Sequence, residues 1–79
     1  MKSFYQIDTY QGDGQFICYK MVKASNAQAA IIDFFGGVKR AAAWTQARAR
    51  LCGQTWITLT SKTKPGKGAY YEVHRIIQR

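Results

Sequence analysis

The chain is poor in acid. It carries twelve lysines and arginines but only four aspartates and glutamates, a formal net charge of +8. That balance argues against an acidic mimic of nucleic acid and makes an anionic partner the expectation. Histidine occurs once and cysteine twice, at Cys18 and Cys52. One imidazole and two distant thiols do not make the four ligands of a structural zinc site, so no metal or cofactor is expected. The two thiols read as small reduced hydrophobes buried in a core. No apolar run approaches the roughly 18–20 residues of a membrane span. The start, Met1-Lys2-Ser3-Phe4-Tyr5-Gln6, shows neither a long apolar stretch nor a small-residue cleavage site. The expected location is therefore the cytoplasm, or the host cytoplasm if a virus encodes the chain. Internal repeats, linkers and low-complexity segments are missing too, and residues 1–79 read as one small domain.

Familiar catalytic signatures are also missing. The loop Lys64-Pro65-Gly66-Lys67-Gly68 precedes a strand, whereas a phosphate-binding P-loop needs its own glycine spacing and a following helix. No G-x-S-x-G elbow exists, and neither cysteine sits in a nucleophile signature. Gly12-Asp13-Gly14 holds one carboxylate where a calcium loop needs several, so it reads as a hairpin turn.

What is present is unevenly placed. Residues 1–35 hold Lys2, Lys20 and Lys23 against Asp8, Asp13 and Asp33 and sum to zero. Residues 36–79 hold nine lysines and arginines against Glu72 alone and sum to +8. All of the net charge thus belongs to the second half, as a surface for an anion would require.

Phe4 to Tyr10 alternates in the manner of a strand, and Gln15 to Lys23 reads as its returning partner. Ser25-Asn26-Ala27-Gln28 has the form of a capping box, with Ser25 as the cap and Gln28 reaching back. The helix it opens should run to Phe35 and end at Gly36-Gly37. Ala27, Ala30, Ile31, Phe34 and Phe35 supply its apolar face. Residues 38–52 fit two patterns. The alanines and arginines favour a helix, while alternation about Trp44, Gln46, Arg48 and Arg50 fits a strand; propensity makes helix the expectation. Residues four apart share a face in either structure, which would align Arg40, Trp44 and Arg48.

The last third reads as a hairpin of strands 55–61 and 69–77 around a loop of lysines. Ile57 and Leu59 should face the core, with Trp56, Thr58 and Thr60 opposite. Tyr71, Val73 and Ile77 form one set on the final strand; Tyr70, Glu72, His74 and Ile76 form the other. Candidate binding residues are Lys39, Arg40, Trp44, Arg48, Arg50, Trp56, Lys62, Lys64, Lys67, Tyr70, His74 and Arg75, which interleave cations with aromatic rings. His74 also admits a catalytic reading. With Glu72, Tyr70 and Arg75 it could form the acid–base set of a small RNA-cleaving toxin.

The first hairpin with its Gly-Asp-Gly turn, the step Tyr19-Lys20-Met21-Val22-Lys23-Ala24 into capped Ser25-Asn26-Ala27-Gln28-Ala29, and the closing hairpin form a layout. That layout resembles small single-domain proteins of phages and mobile elements, anti-CRISPR inhibitors among them. The resemblance implies a non-enzymatic binding protein, with a CRISPR effector complex as one possible partner. The fold expected is an α+β two-layer domain with a four-stranded antiparallel sheet, in the order β-β-α-(α or β)-β-β. Its expected partner is nucleic acid or a nucleoprotein complex, held by the basic half. A protein–protein adaptor is the remaining alternative.

Overall fold

A computed structural model describes residues 2–63 and 68–76. Lys64, Pro65, Gly66, Lys67, Ile77 and Arg79 lie outside the described residues. The elements in order are β1 (Ser3–Tyr10), β2 (Phe16–Ala24), α1 (Ala27–Phe35), α2 (Val38–Ala41), β3 (Trp44–Leu51), β4 (Gln54–Ser61) and β5 (Tyr70–Ile76). All five strands form one sheet in the order β2-β1-β5-β4-β3, and every pairing is antiparallel. The fold is therefore α+β as expected, with five strands instead of four.

The first hairpin follows its sequence. Gly14 takes φ 94° in the turn, where its N–H donates to the Gln11 carbonyl at 2.8 Å. Gly12 is required for another reason: a β-carbon there would lie 2.9 Å from the Gly68 carbonyl oxygen, so the two hairpin ends approach backbone to backbone.

Helix α1 starts one residue later than the capping box implied. Asn26, extended at φ −157° and ψ 173°, is the cap, and its side-chain oxygen accepts the Ala29 N–H at 2.8 Å. Gln28 does not reach back to Ser25; its side-chain amide exchanges two hydrogen bonds with Gln46 of β3, at 2.6 and 2.9 Å. Asparagine caps as well as serine does, and a glutamine on the sheet-facing side finds a better partner across the layer. At the other end Gly36 is left-handed (φ 83°), and the Gly37 N–H reaches back to the Ile32 carbonyl at 3.0 Å. This is the expected glycine stop.

The helical expectation for 38–52 fails beyond its first turn. Val38–Ala41 is helical, and Trp44–Leu51 is a strand paired along its length with β4, from Trp44↔Ser61 to Leu51↔Gln54. Ladder hydrogen bonds and the docking of Trp44 outweigh the modest helix preference of alanine and arginine. A Cys52-Gly53 turn, both residues at positive φ (53° and 78°), sets the register. Because the backbone changes structure after Ala41, Arg40 does not share a face with Trp44 and Arg48. The common-face argument assumed one continuous element.

The core lies between the helices and one sheet face. Ile7, Ile31 and Leu59 are fully buried, with Tyr5, Val22, Ala30 and Val73 around them. Phe34, Phe35, Trp44 and Tyr71 close one side as an aromatic cluster; Trp44 stacks on Phe35 at 5.1 Å and meets Tyr71 edge-on at 5.0 Å. Both cysteines are exposed and free, against the expectation that they were buried. Cys18 lies in the exposed first part of β2, before Val22 and Ala24 bring that strand into the core, and Cys52 lies in a turn. Among the described residues, no helix is long and apolar enough to cross a membrane.

Candidate functional site

Strand register distributes the candidate residues over two faces. On β3 the Trp44 ring and the Gln46 amide touch α1, so alternation directs Arg48 and Arg50 to the same, helix-bearing side. On β5 the register Tyr5↔Arg75 and Ile57↔Val73 puts Arg75 on that side as well. The three arginines are exposed and line a groove of about 460 Å³, whose floor includes Tyr5, Ile57 and Val73 and whose wall includes Thr55. Among the described residues no carboxylate lines this groove. No lysine or arginine among the described residues lies within ion-pair distance of a carboxylate, so none of the three arginines is neutralised there.

Among the described residues the opposite face has no helix over it, and its chemistry is different. Asp8 stands opposite Glu72, Gln6 opposite His74 and Tyr10 opposite Tyr70 on the adjacent strands β1 and β5. His74 Nε2 is 3.1 Å from Glu72 Oε1 and 3.7 Å from Asp8 Oδ2. Gln6 donates to Asp8 Oδ1 at 2.7 Å. Asp8 is buried, at 7% exposure. Trp56 stacks on the His74 ring with centroids 5.4 Å apart. Tyr10 stacks on Tyr70 at 5.1 Å and meets Phe16 edge-on at 5.7 Å. The Tyr10 phenol is held above its ordinary value of 10.0, chiefly by desolvation and then by the negative charges of Glu72 and Asp8.

The twelve candidates therefore do not form one patch. Arg48, Arg50 and Arg75 come together in the groove, which Trp56 also lines, while the Trp56 ring stacks on His74, and Tyr70 and His74 lie on the other face. Trp44 belongs to the aromatic cluster beside the core, with its ring between Phe35 and Tyr71. Lys39 and Arg40 are exposed on α2. Lys62 is exposed past the end of β4, where its N–H donates to the Ala43 carbonyl. Lys64 and Lys67 lie outside the described residues. The residues that sequence reasoning passed over are Asp8, Gln6 and Tyr10. Their signal was the β1 alternation Phe4, Gln6, Asp8, Tyr10, which sets polar groups on one face.

Compared with known proteins, no family model, no curated protein and no solved structure matches the chain.

Proposed function

We propose that this chain is a non-enzymatic binding protein that holds nucleic acid through the groove of Arg48, Arg50 and Arg75. One observation carries the reading: three arginines converge on one concave surface, and among the described residues no carboxylate neutralises them. Guanidinium groups match phosphate oxygens in a planar, two-pronged geometry, and a groove lets several engage one backbone. The apolar floor of Tyr5, Ile57 and Val73 adds a surface against which a sugar or base can rest. The strands of the basic half lie together, β3 at the sheet edge and β4 and β5 inside it, so a negative chain meets charge along one side of the molecule.

The test is binding of a labelled oligonucleotide as a function of salt between about 50 and 200 mM. Three phosphates neutralised on duplex DNA correspond to a log–log slope of about −2.7, and each arginine-to-alanine change should remove about 0.9 from it. Binding that ignores salt, or that Arg48→Ala, Arg50→Ala and Arg75→Ala together leave intact, overturns the proposal. Its finer form is a phage-borne inhibitor of the anti-CRISPR type, which would engage the nucleic acid of an effector complex. That form predicts a pull-down lost on nuclease treatment, whereas an adaptor would keep its protein partner.

The Glu72–His74 hydrogen bond favours a second reading, a small endoribonuclease with His74 as its base. Tyr70 shares that face, and Arg75, which alternates to the other side of β5, lines one groove with His74. Cleavage of RNA by the wild type, lost in His74→Ala, would favour this reading.

A further inference from the structure

We infer that Asp8, Glu72 and His74 form a binding site for one divalent transition-metal ion on the uncovered face of the sheet. Counting only cysteine and histidine as ligands had ruled out a metal; the carboxylates reopen the question. One donor atom from each of the three residues lies within 4.8 Å of the others. Around a tetrahedral ion with bonds of about 2.0–2.1 Å, donor atoms stand about 3.3 Å apart. The separations of His74 Nε2 from Glu72 Oε1 (3.1 Å) and from Asp8 Oδ2 (3.7 Å) bracket that spacing.

A second observation comes from Asp8 itself. Its side chain is nine-tenths buried; Gln6 occupies Oδ1, while Oδ2 points at the cluster with His74 Nε2 beyond hydrogen-bond distance. Carboxylates directly opposite on neighbouring strands repel each other, and Asp8 and Glu72 are such a pair. Twelve lysines and arginines are available in this chain, yet none of those described pairs with either acid. Half the acidic residues of a protein with a +8 charge thus converge on its only histidine. A cation at their centre would answer the repulsion.

The surroundings have the form of a metal site's outer shell. Gln6 fixes the Asp8 carboxylate, and the Trp56 ring lies along His74 and limits its rotation. Asp8 and His74 also line a groove of about 750 Å³ with Gln6, Gln54, Arg75 and Ile76, which leaves a route for an ion and room for water or a further ligand, with one cationic side chain at its edge. One imidazole and two carboxylates suit Zn²⁺, Mn²⁺ or Co²⁺ better than the all-oxygen preference of Ca²⁺.

The test is titration of the full chain with Co²⁺ and Zn²⁺ in a Cys18→Ser, Cys52→Ser background, which removes the exposed thiols as competing ligands. Calorimetry should give one ion per chain, and paramagnetic Co²⁺ should broaden the NMR signals of His74 and Trp56 before those of Trp44. Asp8→Asn and His74→Ala, each checked for folding by circular dichroism, should weaken binding by more than the roughly 10–100-fold typical of lost outer-shell contacts. Absence of one-to-one binding at millimolar metal overturns the inference. So does equal binding by the folded Asp8→Asn and His74→Ala variants. Oligonucleotide binding through the arginine groove is a separate readout, and its success or failure leaves this result untouched.

Discussion

The two faces of the sheet handle charge in opposite ways. The helix-bearing face sets three arginines around a groove, exposed and, among the described residues, without counter-charge, in the arrangement that a mobile anion can enter. The uncovered face collects two acids and the one histidine into a tight cluster, tied by hydrogen bonds and flanked by aromatic rings. Both draw on β5, whose consecutive residues His74 and Arg75 point to opposite sides. A single strand therefore serves two chemistries, and a change at one position should leave the other face nearly undisturbed. The lesson is that a strongly basic composition describes only part of a surface; strand alternation can sort the minority charges into a site of their own.

The comparison breaks most completely if the layer between the faces is lost. Ile31 is fully buried under the sheet, and Ile31→Ala should cost about 2–5 kcal/mol, a large share of the stability of so small a domain. Urea unfolding would show the midpoint falling, and both faces should lose function together. A midpoint unchanged by this substitution would contradict the core described above.

A finer separation uses Tyr10 as a reporter of the acidic face. Glu72→Gln removes one negative charge beside the phenol, so Tyr10 should ionise at lower pH than in the wild type, as followed by NMR of its ring. Desolvation remains and should keep it from returning fully to 10.0. Arg75→Ala, on the other face, should move it far less. The same shift predicts the alkaline limb of stability. Because the folded phenol holds its proton more tightly than the unfolded one, this contribution is present below pH 10 and is lost as pH rises through the folded value. A Tyr10→Phe chain should show a weaker alkaline decline in thermal scans.

The smallest effect expected is at the β3–β4 turn. Cys52 holds φ 53°, a conformation that asparagine adopts more readily. Cys52→Asn should raise stability by a few tenths to about 1 kcal/mol by denaturant titration and leave oligonucleotide binding as it was. It would sharpen the comparison by showing that this turn positions Arg50 without acting on the anion itself.

Much of this architecture could be read from the residues in order. Alternation in 55–61 assigned core and outer faces correctly, and in 70–76 it separated the two sets of side chains, because a period of two is a property of the strand backbone alone; in Phe4–Tyr10 it marked the strand without naming its faces. The helix stop at Gly36-Gly37 was equally legible, since few residues other than glycine take that left-handed turn cheaply. Residues 44–51 were not, because their local preference is helical and the interactions that make them a strand come from β4. Asp8 was invisible as a partner of His74 for the same kind of reason: 66 positions separate them, and only the β1–β5 register joins them.

The sequence by itself thus determined the elements governed by short-range rules: the turns, the helix and its glycine end, the alternation within each strand, and the concentration of positive charge in residues 36–79. Tertiary structure alone decided which strands lie side by side. That choice divided one supposed basic and aromatic patch into an arginine groove and an acid–histidine cluster. The physical reason is that alternation sorts side chains within a strand, while the company they keep across strands depends on long-range pairing, which no local preference encodes.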